Sequence, residues 1–421
     1  MNFRKFLAFS KIDYLNGFIV FQFAMVPFWN SNKAFSLGVF LFFLFQIIRK
    51  ERRIPFDSKL FVIMSIHVLI AVIQGIIWKL KPFSILTSFV LVIYTAYLVF
   101  RLYRFSLLEL LESVFFRMMQ ISFSFYLLLT FIPNARSLFY SAVNVLAPFN
   151  GDSYDRSILL FTHWDQLDAF LGPFPRFAGF CHEPGAIGAL LLLFILYNYW
   201  KGYSIFHRRN ILYIACMFFT FSSAAQLSFV FALGGILLTS NSQFRAYAIV
   251  VFPLFIIGGV FLYNSIDLFS NKIENQIEAQ NQLSLDTEAT GRIIGYRKSI
   301  YVLGKYPLFG RGVITATKPS NPSHREYTAY GWLNYIAGYG LIVGGAFMLL
   351  FYKGFRNFFI SSESVRGVSF LFFFLAIMIN LTAQSLISSI IFFYFFLHGV
   401  YGSSNGFKAL NNRVKSITIR N

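Results

Sequence analysis

Seven basic residues fall between Arg292 and Arg325, namely Arg292, Arg297, Lys298, Lys305, Arg311, Lys318 and Arg325, with no acid among them. The planar fork of arginine binds two phosphate oxygens at once, so this run fits an anionic, phosphate-bearing ligand. A solvated loop drawn to anionic lipid headgroups would have the same composition. Upstream, the stretch PFPRFAGFCHEPGAIGALLLLF sets Arg176 and Glu183 just before an apolar run opened by Pro184. Glu183 can serve as the N-terminal cap of that helix. It can equally be a carboxylate placed to orient or deprotonate a hydroxyl, with Arg176 pairing with it or holding a phosphate. Cys181, His182 and Glu183 are consecutive, and adjacent side chains rarely converge on one metal ion. His324 stands where the basic run meets the next apolar stretch. Its imidazole, neutral near pH 7, can accept a proton from a hydroxyl; a plain surface histidine is the alternative.

The elements that must position these residues are apolar. Of 421 residues, 57% are hydrophobic and 13% are charged, about half the charge of a soluble domain. This predicts an all-α, polytopic integral membrane protein. A spanning helix needs about 20 mostly apolar residues, and spans are read near 14–30, 34–48, 59–78, 82–100, 113–132, 184–200, 210–223, 225–240, 245–266, 328–352, 367–381 and 384–400, twelve in all. Two pairs of these are continuous runs, split where Ser222, Ser223 and Gln226 interrupt the first and Asn380, Thr382 and Gln384 the second. Six basic segments then share one side with both termini, which the positive-inside rule makes cytoplasmic. Arg117, just inside the fifth span, is expected to snorkel to that interface. The net charge of +19 is explained by these loops, and no nucleic-acid-binding signature accompanies it. Two cysteines, Cys181 and Cys216, are too few for a disulfide framework or a structural zinc site. The reading is a single transmembrane domain over 1–421, with outer loops 133–183 and 267–327 forming the active-site face. Leu160, Trp164, Leu167 and Leu171 recur at helical spacing and predict an interfacial amphipathic helix in the first loop. In the second, a short helix from Arg292 to Lys305 should end in a turn at Pro307, Gly310 and Gly312. Gly338, Gly340, Gly344 and Gly345 read as residues for close helix packing.

Three pieces, RFAGFCHEPG (Arg176 to Gly185), GR…YPLFGRG (Gly291 to Gly312) and SH…GYGLIVG (Ser323 to Gly344), resemble in type and order the O-antigen polymerase and O-antigen ligase superfamily of bacterial envelope glycosyltransferases. The resemblance covers roughly residues 170–345. It implies a glycosyltransferase-C-like membrane fold with a large periplasmic loop between spans nine and ten. The activity it implies is an inverting, metal-independent transfer on the outer face of the inner membrane, from a glycan on undecaprenyl diphosphate, with no cofactor. By matching positions, Arg176 and Arg292 would bind the diphosphate, with Arg297 and Arg311 as further candidates. His324 would act on the acceptor and Glu183 would assist as base or orienter. An Asn often follows the family histidine; here Arg325 does.

The E-P-G at Glu183–Gly185 resembles polymerases of repeat-unit oligosaccharides (O-antigen, capsule or exopolysaccharide) more than ligases that act on lipid A core. The implied partners are a lipid-linked oligosaccharide donor and acceptor, membrane lipids, and a chain-length regulator and flippase of the same system. A lipid-linked oligosaccharide flippase is the reading from another class. Against it, the spans are nearly free of charge and the charged residues cluster in the outer loops, where a transporter would carry ionisable groups at mid-membrane.

Overall fold

The structure is a computed structural model that describes residues 9–25, 33–78, 82–132, 134–141, 157–158, 160–164, 175–239, 292–312, 331–361, 365, 367–383, 386 and 389–402. The expected span at 245–266 lies outside the described residues, as does His324. The chain is mostly helical. The helices are α1 (Lys11–Met25), α2 (Lys33–Glu51), α3 (Ser58–Trp78), α4 (Pro82–Tyr103), α5 (Leu107–Phe131), α6 (Pro184–Trp200), α7 (Arg208–Phe219), α8 (Ser223–Thr239), α9 (Arg292–Lys305), α10 (Gly331–Gly340), α11 (Ala346–Ile360), α12 (Val368–Ala383) and α13 (Ile390–Tyr401). Helix is what hydrocarbon demands, because every backbone N–H and C=O is then satisfied within its own segment.

Three helical stretches, Ser58–Ile77, Val90–Phe131 and Gly331–Ile360, are long and apolar enough to cross a membrane, and several shorter apolar helices accompany them. Large apolar side chains face outward along them, among them Phe61, Leu69, Ile76 and Leu349. Such a surface is expected of a chain covered by lipid.

Two of the three stretches are not straight. Val90–Phe131 has 42 residues, about 63 Å if extended as one helix, against a hydrocarbon core of about 30 Å. It turns at Arg104, where φ is 43°. Helix α4 runs parallel to α2, since Phe40 meets Tyr94 and Glu51 meets Arg101. Helix α5 runs parallel to α1, since Gly17 abuts Val114 and Phe21 meets Phe115. Asn16 and Gln46 join α1 to α2, and Phe23 meets Phe35 at their other ends, so these two are antiparallel. Helices α4 and α5 are therefore opposed.

The other broken stretch begins with α10. Gly340 takes φ 73° and ψ 177°, a conformation open in practice only to glycine, and a π-helical turn, Leu341–Gly345, follows it. Tyr335 lies 4.5 Å from Phe347 between ring centroids. Twelve residues of straight helix would put them about 18 Å apart along the axis, so α10 folds back on the start of α11. The single span expected at 328–352 is thus corrected to a half-helix, a hinge and a second helix. Hydropathy could not show this, because the apolar character is continuous through the hinge.

Around α5 and α6 lies the core. Helix α6 is buried on nearly all sides and runs against α5, with Phe194 on Phe115 and Tyr197 on Glu109. The run 210–240 does divide as expected. Helix α7 ends at Phe219, the chain turns through Phe221 at φ 46°, and α8 begins at Ser223. Gly188 against Ala225 and Tyr199 against Thr239 show α8 parallel to α6. Helices α11 and α13 cross where Gly354 and Gly399 let their backbones touch, the small-residue approach found between membrane helices. Arg117 is exposed, with its guanidinium 4.8 Å from the Tyr14 ring centre.

A second correction concerns the first outer loop. Ser157–Ile158 (β1), Phe161–Trp164 (β2) and Arg176–Phe177 (β3) form a small antiparallel sheet in that order. The amphipathic helix expected from Leu160 onward is therefore a strand where it is described. Phe-Thr-His-Trp is aromatic and β-branched, and it pairs with the segment leading into α6, with Trp164 opposite Arg176. The rest of that expected helix, 165–171, is outside the described residues.

Candidate functional site

One end of the bundle carries the described parts of all three sequence pieces. In the first, Phe177 and Phe180 anchor the approach to α6. Phe177 packs on Phe123 and Tyr126, and Phe180 on Phe21 and Phe115. The Pro175 carbonyl accepts from the Tyr126 hydroxyl at 3.0 Å. Between these anchors Arg176 is half-buried. Its Nε donates to the Thr220 carbonyl at 3.1 Å and its Nη2 to the Phe221 carbonyl at 3.3 Å. Those carbonyls close α7, where chain polarity leaves acceptors unpaired. The guanidinium therefore pins the α7–α8 turn to the loop before α6.

Glu183 is the residue before α6, with extended backbone and Pro184 first in the helix. Its side chain makes no capping bond, so the carboxylate does not serve as the side-chain cap that the sequence allowed. It lies 3.5 Å from His182 Nε2, and both side chains are about one-third exposed. Cys181 is fully buried, and burial, with the Glu183 carboxylate adding to it, pushes its thiol well above the usual value. Such a thiol is a packing group rather than a nucleophile.

The second and third pieces form one unit. After α9 the chain makes the expected turn, and its backbone docks on the hinge of the half-helix α10. The amides of Arg311 and Gly312 donate to the carbonyls of Ala337 and Gly338, both at 3.0 Å, and the Leu341 amide donates to the Pro307 carbonyl at 2.7 Å. Gln74 of α3 closes the joint, donating from Nε2 to the carbonyls of Phe309 and Gly338 at 2.5 and 2.8 Å. Deeper in α3, His67 lies 3.4 Å from the Tyr335 hydroxyl through Nε2 and 2.8 Å from the Ile63 carbonyl through Nδ1. The Nδ1 contact requires its proton there, which leaves Nε2 to accept from Tyr335. This dock fixes Arg311, whose guanidinium lies 5.9 Å from the Tyr306 ring centre, while Lys305 Nζ lies 5.2 Å from the same ring. Arg297 is exposed on α9, and Arg292 is its first residue, described for its backbone alone.

The candidates thus form two patches at the same end of the bundle. Arg176 and Glu183 flank the start of α6; Arg297 and Arg311 belong to α9 and the turn docked on α10. Sequence reasoning missed the joint itself. Beyond its first turn the span carries only three polar residues, Ser65, His67 and Gln74, and the isolation of a histidine and a glutamine among apolar residues is the signal that could have found them. No family profile, curated protein or solved structure matches the chain.

Proposed function

We propose that this chain is a polymerase of undecaprenyl-diphosphate-linked oligosaccharide repeat units, acting by inverting, metal-independent glycosyl transfer at the outer face of the bacterial inner membrane. The observation that carries the reading is the docking of YPLFGRG on GYGLIVG. These are two of the three pieces that carry the resemblance, and they meet through backbone bonds that hold an arginine at a break in an apolar helix. A lipid-diphosphate donor must be reached from the bilayer, and its leaving group needs fixed positive charge where negative charge develops.

In this mechanism the acceptor hydroxyl loses its proton to His324 or Glu183. Its oxygen attacks the anomeric carbon of the donor glycan. The bond from that carbon to the phosphate oxygen breaks, and undecaprenyl diphosphate leaves with the electron pair. Arg292, Arg297 and Arg311 carry the diphosphate charge, and Arg176, oriented in advance by two carbonyls, adds a fixed cation. About twelve spans with both termini cytoplasmic put these groups on the outer side, where the growing chain passes to the next lipid-linked unit.

The test is the length of surface polysaccharide in cells lacking the protein, read as a ladder on a gel. Single repeat units alone, with polymer restored by the wild-type chain and not by Arg311→Ala, support the reading. Long lipid-linked polymer left unattached would indicate a ligase, and repeat units trapped in the cytoplasm a flippase.

A further inference from the structure

At the opposite end of the bundle two cavities meet at Asp57. One, of about 310 Å³, is lined by Asp57, Tyr97, Arg101, Arg104, Phe105 and Tyr401. The other, of about 720 Å³ and almost wholly apolar, follows α3 and α4 past Leu60, Phe61, Met64, Val68, Val72 and Tyr94. From Leu60 to Val72 the groove covers about 18 Å of helix. That is slightly more than one leaflet of a hydrocarbon core about 30 Å thick.

The polar cavity holds both signs of charge in distinct states. Arg101 is committed: its Nε and Nη2 donate to both oxygens of Glu51 at 2.8 and 2.7 Å, and its Nη1 to the Tyr97 hydroxyl at 2.7 Å. Arg104 is exposed at the turn between α4 and α5 and has no ion-pair partner among the described residues. Asp57 is half-buried. Its Oδ1 takes the Tyr401 hydroxyl at 2.6 Å and the amides of Lys59 and Leu60 at 3.0 and 3.1 Å, an arrangement that caps α3 through one oxygen. Beside it the rings of Tyr97 and Phe100 stand 6.0 and 5.9 Å from that of Tyr401, forming an aromatic wall next to a carboxylate. Carboxylate and aromatic faces together recognise an ammonium group, and an uncommitted guanidinium recognises a phosphate.

We propose that the two cavities are one binding site for a phospholipid with an amine headgroup, of the phosphatidylethanolamine type. Its ammonium sits between Asp57 and the Tyr97–Tyr401 wall, its phosphate on Arg104, and one acyl chain in the α3–α4 groove. The mixed charge decides against an anionic lipid such as phosphatidylglycerol, which would set its phosphate near the Asp57 carboxylate with no ammonium to offset it. This site is separate from the proposed transfer chemistry and stands or falls independently of it.

The test uses the full-length protein in detergent, titrated with phosphatidylethanolamine or phosphatidylglycerol of identical acyl chains, with bound lipid counted by native mass spectrometry. Phosphatidylethanolamine should bind more tightly by about tenfold, the effect of one charge-assisted contact. Asp57→Asn keeps an oxygen to cap α3 and should abolish the preference. Arg104→Gln should weaken both lipids, and Val68→Trp, which fills the groove, should do the same. Equal binding of the two lipids by the wild type, or a preference that survives Asp57→Asn, overturns the proposal.

Discussion

Gly310 and Gly340 lie backbone against backbone. A Cβ on Gly340 would run into the Leu308 carbonyl and the Gly310 amide, and one on Gly310 into the Gly338 carbonyl and the Gly340 amide. Both take positive φ, 67° and 73°. Alanine at either site must adopt a strained backbone, at a cost of about 1–3 kcal/mol, and must also push the docked turn away. Gly310→Ala and Gly340→Ala should each shorten or abolish polymer on the polysaccharide gel. Gly345→Ala is the control: its Cβ would meet nothing within 4 Å and it should leave polymer length unchanged.

Arg176 serves two carbonyls with two nitrogens of one plane. Lysine has no such fork. Arg176→Lys should therefore lower the thermal stability of the purified protein, by about 1–3 kcal/mol for the loosened carbonyls, as well as its activity. A variant that kept full stability would show that the clamp on the α7–α8 turn contributes nothing to folding.

A buried network ties the other end of the bundle together. Glu109 accepts from Lys201 at 2.5 and 2.7 Å and from the Tyr197 hydroxyl at 2.7 Å. Glu112, fully buried, accepts from Arg209 and from the Tyr213 hydroxyl. Removing the partner of a fully buried carboxylate strands its charge, so Arg209→Ala should cost about 3–5 kcal/mol. The double variant Glu112→Leu with Arg209→Met should recover most of that loss, as measured by thermal unfolding in detergent.

The Arg101 hydrogen bonds hold the Glu51 carboxyl below its usual range, against a smaller opposing effect of burial. A lowered carboxylate contributes stability above its unfolded value and loses it as pH falls through the folded one. Acidification below the ordinary glutamate range should therefore destabilise the protein. Glu51→Gln should be less stable at neutral pH by about 1 kcal/mol, since the pair is partly exposed, and should converge with the wild type in acid. Unfolding temperature against pH for both chains checks this.

Much of this was legible in the sequence where a local signal exists. The turn between α7 and α8, through Phe221 and Ser222, falls where polar residues interrupt an apolar run. Helix α9 and its Pro307–Gly312 turn follow from punctuation by proline and glycine. The hinge at Gly340 was not legible, because hydropathy is continuous across it and the glycines read equally well as helix packing. Glu109 and Glu112 stood ahead of the expected fifth span; the helix begins at Leu107 and carries both inward, which periodicity alone does not show. The β2–β3 pairing depends on a partner strand more than ten residues away, so Leu160 to Trp164 could pass for a helix. In the site, Arg176 and Arg311 were recognisable by type and position. Their carbonyl and aromatic partners come from the α7–α8 turn and the α9 turn, and only the folded chain brings them into reach.

The most direct measurement is polymerisation by the purified full-length protein in vesicles supplied with undecaprenyl-diphosphate-linked repeat units and no other protein. The account predicts a ladder of lipid-linked products, formed in the presence of a metal chelator and lost with Arg311→Ala while that variant still folds. Repeat units that stay single with the wild-type protein, or a ladder undiminished by Arg311→Ala, would contradict it.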